Sequence, residues 1–201
     1  MWPAVTQRLA GGAARLPSPR AFFRCRNGAT AVEFALVAAP FLAILVALLQ
    51  TALVFFAARM LDEITEEASR YVLTGQAQTS NMTASQFGTY VCTGDAVLTK
   101  LVSALFTCSK LLINAQSYSS FAAANTNDPI ASFNASNQPL DSSGKVMTLS
   151  WAPGNPGDIV VLQIMYLWPV IGGPLGFSLS SPNSNGYRLL MSTAVFKNEP
   201  F

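Results

Sequence analysis

The feature that most restricts the fold of this chain is an apolar run, residues 34–58, in which 25 consecutive side chains carry no charge. As an α-helix the run would rise about 37 Å, whereas the hydrocarbon core of a bilayer is about 30 Å thick. Apolar side chains would cover every side of that helix, interrupted mainly by Gln50 and Thr51. Pro40 removes one backbone hydrogen bond and predicts a kink near the start. We therefore expect a membrane-spanning helix over residues 29–58.

The composition supports one anchor followed by one modest domain. Of 201 residues, 51% are hydrophobic and 11% are charged, whereas soluble domains average about 25% charged residues. This balance argues against a freely soluble chain, and also against a disordered one, which would be rich in charge and poor in apolar residues. The chain has no histidine, so the commonest general base and metal ligand is missing.

The apolar run divides the charges of the chain. Residues 29–201 hold seven basic and ten acidic side chains, a net charge of −3, whereas residues 1–28 hold no acid and five arginines, Arg8, Arg15, Arg20, Arg24 and Arg26. Because positive residues stay on the cytoplasmic side, we expect a cytoplasmic leader and place residues 60–201 outside. Nucleic-acid binding is the alternative for the arginines, but no aromatic–basic interleaving accompanies them, so no nucleic-acid partner is expected.

A cleaved secretory signal is the alternative to a retained anchor. Its apolar core would be about 7–15 residues long, followed by a small-x-small cleavage site. The run here is longer, and Phe56-Ala57-Ala58 fits such a site poorly, so a retained anchor is favoured.

The helix is expected to continue beyond the membrane to about residue 74. Glu66 and Arg70 stand four residues apart, a spacing that allows an ion pair on a helix, and Gly75 predicts the stop. Apolar residues recur at spacings of three and four with acids between them, which predicts an amphipathic extension over 59–75. They are Leu61, Ile64, Ala68, Tyr71 and Val72.

The junction between the basic and apolar segments carries a motif. Gly28 is followed after four residues by Glu33 and Phe34, with arginines before and the apolar helix after. This pattern resembles the processing site of type IV prepilins and pseudopilins. The resemblance implies that a prepilin peptidase cuts between Gly28 and Ala29, which makes Glu33 the fifth residue of a mature chain. The alternative is that Gly28 merely starts the helix and that Glu33 lies at the membrane interface.

The spacing of this motif also has a physical rationale. Cleavage would create an amine on Ala29, and Glu33 stands one helical turn further along the same face. A carboxylate at the mouth of a membrane helix is costly without a partner. In a filament, Glu33 would meet the amine of a neighbouring subunit, setting the register between subunits and neutralising a buried charge.

A narrower resemblance is to TadE-like proteins of the tight adherence (Flp) pilus system. It rests on residues 28–40, 156–161, 166–169 and 194–201, whereas residues 114–150 match no known pattern. It implies a pilin-like accessory protein of the bacterial inner membrane, with prepilin peptidase, other pilin-like subunits and the tight adherence machinery as partners. Flp pilins usually have Glu-Tyr where this chain has Glu33-Phe34, and Ala29 replaces the first mature Phe of many type IVa pilins.

Two cysteines in the outer domain, residues 76–201, are expected to pair. Cys92 and Cys108 stand 16 residues apart in a compartment that favours disulfides. Two free buried thiols are the alternative. A straight helix between them would hold the cysteines about 24 Å apart, so a bridge needs a turn near 93–95 or a bend before Cys108. Cys25 lies in the leader and should stay reduced, with palmitoylation as an alternative. Apolar residues suggest a helix between the pair, Ala96, Val97, Leu101, Leu105 and Phe106.

The rest of the outer domain is typical of strands and turns. Residues 119–145 are rich in Ser and Asn and predict a long exposed loop. Residues 170–183 predict an apolar loop that contacts a membrane or a partner. Strands separated by turns imply an antiparallel sheet, so the expected fold is α+β, a pilin-like amphipathic helix packed on a small sheet. The predicted strands are 111–118, 146–151, 158–168 and 188–196.

No catalytic or metal-binding pattern is present in the sequence. The aspartates at 95, 128, 141 and 158 are scattered, unlike those of a calcium loop, and two cysteines without histidine do not make a zinc site. We therefore expect no enzyme activity, no cofactor and no small-molecule substrate. The rival function is an uncleaved, signal-anchored binding or scaffold protein that faces the periplasm.

Overall fold

The computed structural model describes residues 28–93, 102–124, 132–173, 176–182 and 186–201, except positions 135, 137 and 142. The chain divides into two compact units, Met1–Leu42 and Ala43–Phe201. Several predictions fall outside the described residues: the arginine-rich leader with Cys25, the turn at 94–95, part of the helix between the cysteines, and the aspartates at 95 and 128. The division of the chain into leader, membrane helix, extension and outer domain stays a prediction.

The first helix, α1 (Ala29–Leu73), is 45 residues long and contains Pro40. It ends where the sequence predicts. Gly75 adopts a left-handed backbone with φ of 77°, and its N–H donates to the carbonyl of Val72 at 3.0 Å. Glycine pays no steric penalty in this conformation, which is why it commonly terminates helices.

The C-terminal half of α1 buries one face in the core of the unit Ala43–Phe201. The buried positions follow the predicted spacing of three and four. The hydroxyl of Thr65, also buried, donates to the carbonyl of Leu61 at 2.8 Å, so a polar group is accommodated on this face. The buried apolar residues are Ala57, Met60, Leu61, Ile64, Ala68 and Val72.

Short helices and strands follow in the described part of the chain. Two of the helices are α2 (Gln76–Thr79) and α3 (Ala84–Thr93). The strands are β1 (Leu112–Tyr118), β2 (Ser132–Phe133), β3 (Pro139–Leu140), β4 (Ile159–Pro169) and β5 (Tyr187–Lys197). Strands β1, β4 and β5 form an antiparallel sheet in the order β1-β4-β5, and β2 pairs with β3 in a separate two-stranded sheet. The predicted α+β class is confirmed.

Strand β4 is the centre of the domain because both of its faces are buried. Alternate side chains, Leu162 and Ile164 among them, join the cluster that includes α1. On the opposite face Met165 packs with Phe133 of β2. A strand covered on both sides needs apolar residues at nearly every position, which explains the continuous apolar run of this segment.

Two predictions for the loop regions are wrong. Residues 146–151 do not form a strand, because only Val146 and Trp151 make isolated bridges, to Leu140 and Ala115. Between them, the N–H of Ser150 donates to a side chain, Asn114 Oδ1, at 2.9 Å, rather than to a strand backbone. The segment 119–145 is not uniformly an exposed loop, since it contains β2 and β3 and buries Phe133.

Helix α3 was not expected from the sequence, and it brings Cys92 to the sheet. Thr83 and Gln86 form a reciprocal cap at its start, with N–H···O distances of 2.8 and 3.3 Å. Cys92 is bridged to Cys108 with the Cα atoms 5.7 Å apart. Residues 102–105 are helical and a bend follows at Phe106, so the disulfide and the bend before Cys108 are confirmed. A disulfide that closes a loop of this length adds about 3 kcal/mol of stability in the chain-entropy estimate.

Candidate functional site

The predicted cleavage site lies at the start of α1. Ala29 is the first residue of the helix, and Gly28, which precedes it, is exposed. A Cβ atom added to Gly28 would meet no other atom of the described residues within 4 Å. A substitution here can therefore test processing without disturbing the packing of the described fold.

Glu33 and Phe34 lie side by side on an exposed stretch of the helix. Phe34 is 74% exposed, and its neighbour Val32 is 61% exposed. Within the described residues of the chain no basic side chain forms an ion pair with Glu33. The carboxylate thus stands among apolar side chains, and it requires a cation from elsewhere if this surface is removed from water.

The N-terminal half of α1 is apolar on all sides and exposed. An 18-residue window of this helix reaches a mean hydropathy of 2.5, and none of that window is buried within the protein. Thr51, one of its polar residues, donates its hydroxyl to the carbonyl of Ala47 at 2.8 Å and so needs no outside partner. Soluble monomers rarely expose apolar patches larger than several hundred Å². The helix is therefore compatible with a single-pass membrane anchor.

The end of α1 is joined to the last residues of the domain. The carbonyl of Leu73 accepts a hydrogen bond from the N–H of Glu199 at 2.9 Å. The ring of Phe201 packs against Gly75 so closely that a Cβ there would collide with it. Sequence reasoning missed this junction, although the stop at Gly75 marked one side of it.

Residues 28–70 match a family model described as TadE-like protein. This segment is similar to TadE-like proteins. The match includes Gly28, Glu33 and Phe34 and runs through the buried face of α1 as far as Arg70. Searches of curated proteins and of solved structures find no match.

The TadE-like match agrees with the resemblance seen in the sequence. It covers the first of the segments on which the resemblance rests. The likeness at 156–161, 166–169 and 194–201 lies outside the match and stays a prediction.

Beyond the buried face, the segment matched by the TadE-like model carries an exposed acidic stripe, formed by Asp62, Glu63, Glu66 and Glu67. Asp62 pairs with Arg59 at 3.4 Å, and Glu66 pairs with Arg70 at 3.2 Å, as its spacing predicts. Both pairs are exposed, so each contributes at most about 1 kcal/mol to stability. The charged side chains of this stripe keep the outer face of the amphipathic half of the helix in contact with water.

Two carboxylates of the outer domain, Asp141 and Asp158, support turns. Asp141 accepts hydrogen bonds from the hydroxyl of Ser143 at 2.6 Å and the N–H of Lys145 at 2.8 Å, and these bonds lower its pKa. Asp158 accepts the N–H of Asn155 at 2.8 Å. Among the described residues no group of three or more His, Cys, Asp or Glu could hold a metal ion.

A cavity of about 610 Å³ lies between α3, the start of β1 and residues 149–151. Its lining is apolar or hydroxyl-bearing and includes Ser85, Thr89 and Trp151, without an acidic or basic side chain. Nucleophilic catalysis needs a base beside the hydroxyl, and the described walls provide none.

Proposed function

We propose that this chain is a pilin-like accessory subunit for assembly of the tight adherence (Flp) pilus, without enzyme activity or cofactor. It is anchored in the bacterial inner membrane by α1, with its N-terminus cytoplasmic and its outer domain in the periplasm. The observation that carries the proposal is the TadE-like segment itself. That segment combines an accessible Gly28, a Glu33 without an ion pair among the described residues, and an apolar helix surface that the described protein does not cover.

The apolar surface defines what the partner must be. Side chains such as Phe41, Leu48 and Phe55 are each more than half exposed. They can be buried either in lipid or against other apolar helices. A subunit that begins in the membrane and then packs with pilin-like helices would use the same surface for both states.

The carboxylate of Glu33 defines how such a partner would be aligned. Peptidase cleavage after Gly28 would convert the amide nitrogen of Ala29 into a positive amine. In an apolar environment Glu33 would pair with that amine or with the amine of a neighbouring subunit. The second pairing sets the axial position of one helix against the next.

The processing step is tested by determining the N-terminus of the chain made with and without an active prepilin peptidase. We expect a mature start at Ala29 only when the peptidase is present. Gly28→Leu should block the cut. Gly172→Leu is the matched control, because a Cβ there also meets nothing within 4 Å. A Met1 start in the presence of active peptidase would contradict the proposal and favour the uncleaved scaffold.

The assembly step is tested at Glu33. Glu33→Ala should leave membrane insertion and cleavage intact but reduce pilus-dependent adhesion. Glu63→Ala, another exposed acid of the same helix that lies beyond the apolar run, should leave adhesion unchanged. Equal adhesion in the two variants would contradict a role of Glu33 in subunit alignment.

A further inference from the structure

The two ends of the strand pair β4–β5 differ in charge. One end, at the pair Ile159–Lys197, is flanked by Asp158 and Glu199. The other end, which we call the turn end, has no acid, and Arg188 is the single charged residue of the sequence between 159 and 196. The turn end consists of residues 168–173, 176–182 and 186–188, the described part of the connection from β4 to β5.

The turn end exposes apolar and aromatic side chains. Ile171 is 77% exposed and Phe177 is 37% exposed, and Trp168 and Tyr187 beside them are half-buried. Tryptophan and tyrosine are enriched where a membrane meets water, and basic residues there attract anionic headgroups. With Arg188, the turn end therefore has the composition of a segment that lies at a membrane surface.

Backbone hydrogen bonds order this end of the sheet. The N–H of Val170 donates to the carbonyl of Gly186 at 2.9 Å, and the N–H of Gly173 donates to the carbonyl of Phe177 at 2.8 Å. Ile171 stands between these two bonds along the chain, and Phe177 takes part in the second. Their exposed side chains are thus presented on an ordered backbone.

Helix α1 runs from the charged end of the strand pair towards the turn end. The N–H of Glu199 donates to the carbonyl of Leu73, so the helix ends at the charged end. From Val72 back to Val54, a length of about 27 Å, one face of α1 belongs to the core. A three-stranded sheet measures only about 10 Å from its first strand to its last. A contact of this length therefore runs along the strands rather than across them.

The turn end lies level with the apolar run of α1. The distance along β4 from Ile159 to Pro169 is about 33 Å, and about 22 residues of α-helix cover the same length. Counted back from Leu73, the turn end is level with about residue 51 of α1. That position is inside the uncharged run 34–58.

We propose that the turn end lies on the lipid surface of the membrane. Ile171 and Phe177 enter the boundary between headgroups and acyl chains, and Arg188 lies at the lipid phosphates. The inference rests on the proposed anchoring by α1, because the anchored helix brings lipid to the level of these residues. With two points of contact, the domain can no longer rotate freely about the axis of α1.

The contact is tested by quenching from within the lipid. Full-length Ile171→Cys in a Cys25→Ser background is labelled with a fluorophore, to which the paired Cys92 and Cys108 do not react. It is reconstituted in vesicles of phosphatidylcholine and phosphatidylglycerol that carry a quencher on the acyl chains. We expect quenching several-fold stronger than for Phe121→Cys, and equal quenching would overturn the proposal.

Phe121 is the matched control because it is also apolar and 63% exposed. It follows the end of β1, where Tyr118 pairs with Ile159 at the charged end of the sheet. Gly172→Cys repeats the measurement with Ile171 in place, since a Cβ there meets no atom of the described residues within 4 Å. The vesicles contain this chain alone. Quenching that stays at the level of the Phe121 control would overturn the lipid contact and favour a protein partner.

The role of Arg188 is tested by omitting the anionic lipid. Quenching at position 171 should fall in the natural background and in Lys197→Gln, a control at the charged end of the strand pair. It should not respond in Arg188→Gln. The guanidinium of Arg188 also donates to the carbonyl of Leu179 at 3.4 Å, so Arg188→Lys, which keeps the charge, should restore the response. A response in Arg188→Gln equal to that of the natural background would overturn the contact with phosphates.

Alkaline carbonate extraction of the same vesicles separates this inference from the proposed function. A chain that is retained but shows no excess quenching at position 171 contradicts the lipid contact of the turn end alone. A chain that is not retained contradicts the anchoring by α1 and, with it, this inference.

Discussion

The two halves of α1 show how one helix can serve two environments. In residues 30–53 the large apolar side chains are exposed, whereas from Val54 onward one face packs into the core of the domain. Both halves are rich in apolar residues, so apolar content alone does not separate them. The difference is the acidic stripe. It occupies one side of the C-terminal half and leaves that half a single apolar face to bury. The N-terminal half has no polar face and needs an apolar environment outside the described chain.

The largest expected effect comes from truncating the same residue type in each half. Leu61 is 1% exposed and Leu48 is 66% exposed. Leu61→Ala should lower the free energy of unfolding of the domain by about 2–5 kcal/mol because it leaves a cavity. Leu48→Ala should change it by less than about 0.5 kcal/mol. Urea unfolding of the detergent-solubilised chain, followed by tryptophan fluorescence, measures both. A similar loss in the two variants would contradict the division of α1.

A smaller effect is expected where the buried half ends. Gly75→Ala pays about 1–2 kcal/mol for a left-handed backbone and must also displace Phe201. Gly144 has a similar φ of 82° but open space around it, so Gly144→Ala pays the backbone cost alone. In a Phe201→Ala background the two substitutions should cost the same. If Gly75→Ala is no worse than Gly144→Ala in the natural background, Phe201 does not hold the end of the helix.

The smallest effect is a pH dependence at the contact between α1 and α3. The rings of Tyr71 and Tyr90 lie 4.1 Å apart. Burial raises the pKa of Tyr90, with smaller contributions from Tyr71 and Glu67. The folded state therefore holds this proton to a higher pH than the unfolded state, whose tyrosine titrates near about 10. The stability that Tyr90 contributes is complete below the pKa of the unfolded state. It is lost as the pH rises through the higher pKa of the folded state.

Tyr90→Phe isolates this effect. Its free energy of unfolding should fall less steeply than that of the natural chain between pH 9 and 11, about one unit on either side of the ordinary tyrosine pKa. Identical slopes would mean that Tyr90 titrates alike in both states.

Sequence reasoning succeeded where the signal is local. The length of α1, its stop at Gly75 and the three long strands follow from spacing, glycine and β-branched runs. The pairing of Cys92 with Cys108 was expected from the compartment that the sequence predicts. It failed for α3, which is short and is marked mainly by the cap between Thr83 and Gln86.

Other features depend on contacts between distant regions of the chain. Phe133 lies in a polar segment, yet it is buried because it packs against Met165 of β4. The apolar residues of 146–151 are typical of a strand. In the structure, however, Ser150 donates to the side chain of Asn114 and accepts from the backbone of Ala115 in β1. Of the candidate site, the motif residues are visible in the sequence, whereas the junction between Leu73 and Glu199 joins distant parts of the chain and could not be predicted.

The hydrogen bond between Leu73 and Glu199 has a mechanical consequence. Tension on α1 would enter the sheet directly next to β5, as well as along the covalent path through α2 and α3. Strand β5 would share that load with β4 along eleven paired residues. A chain pulled through α1 would thus resist with the strand pair β4–β5, and α2 and α3 would carry less of the force.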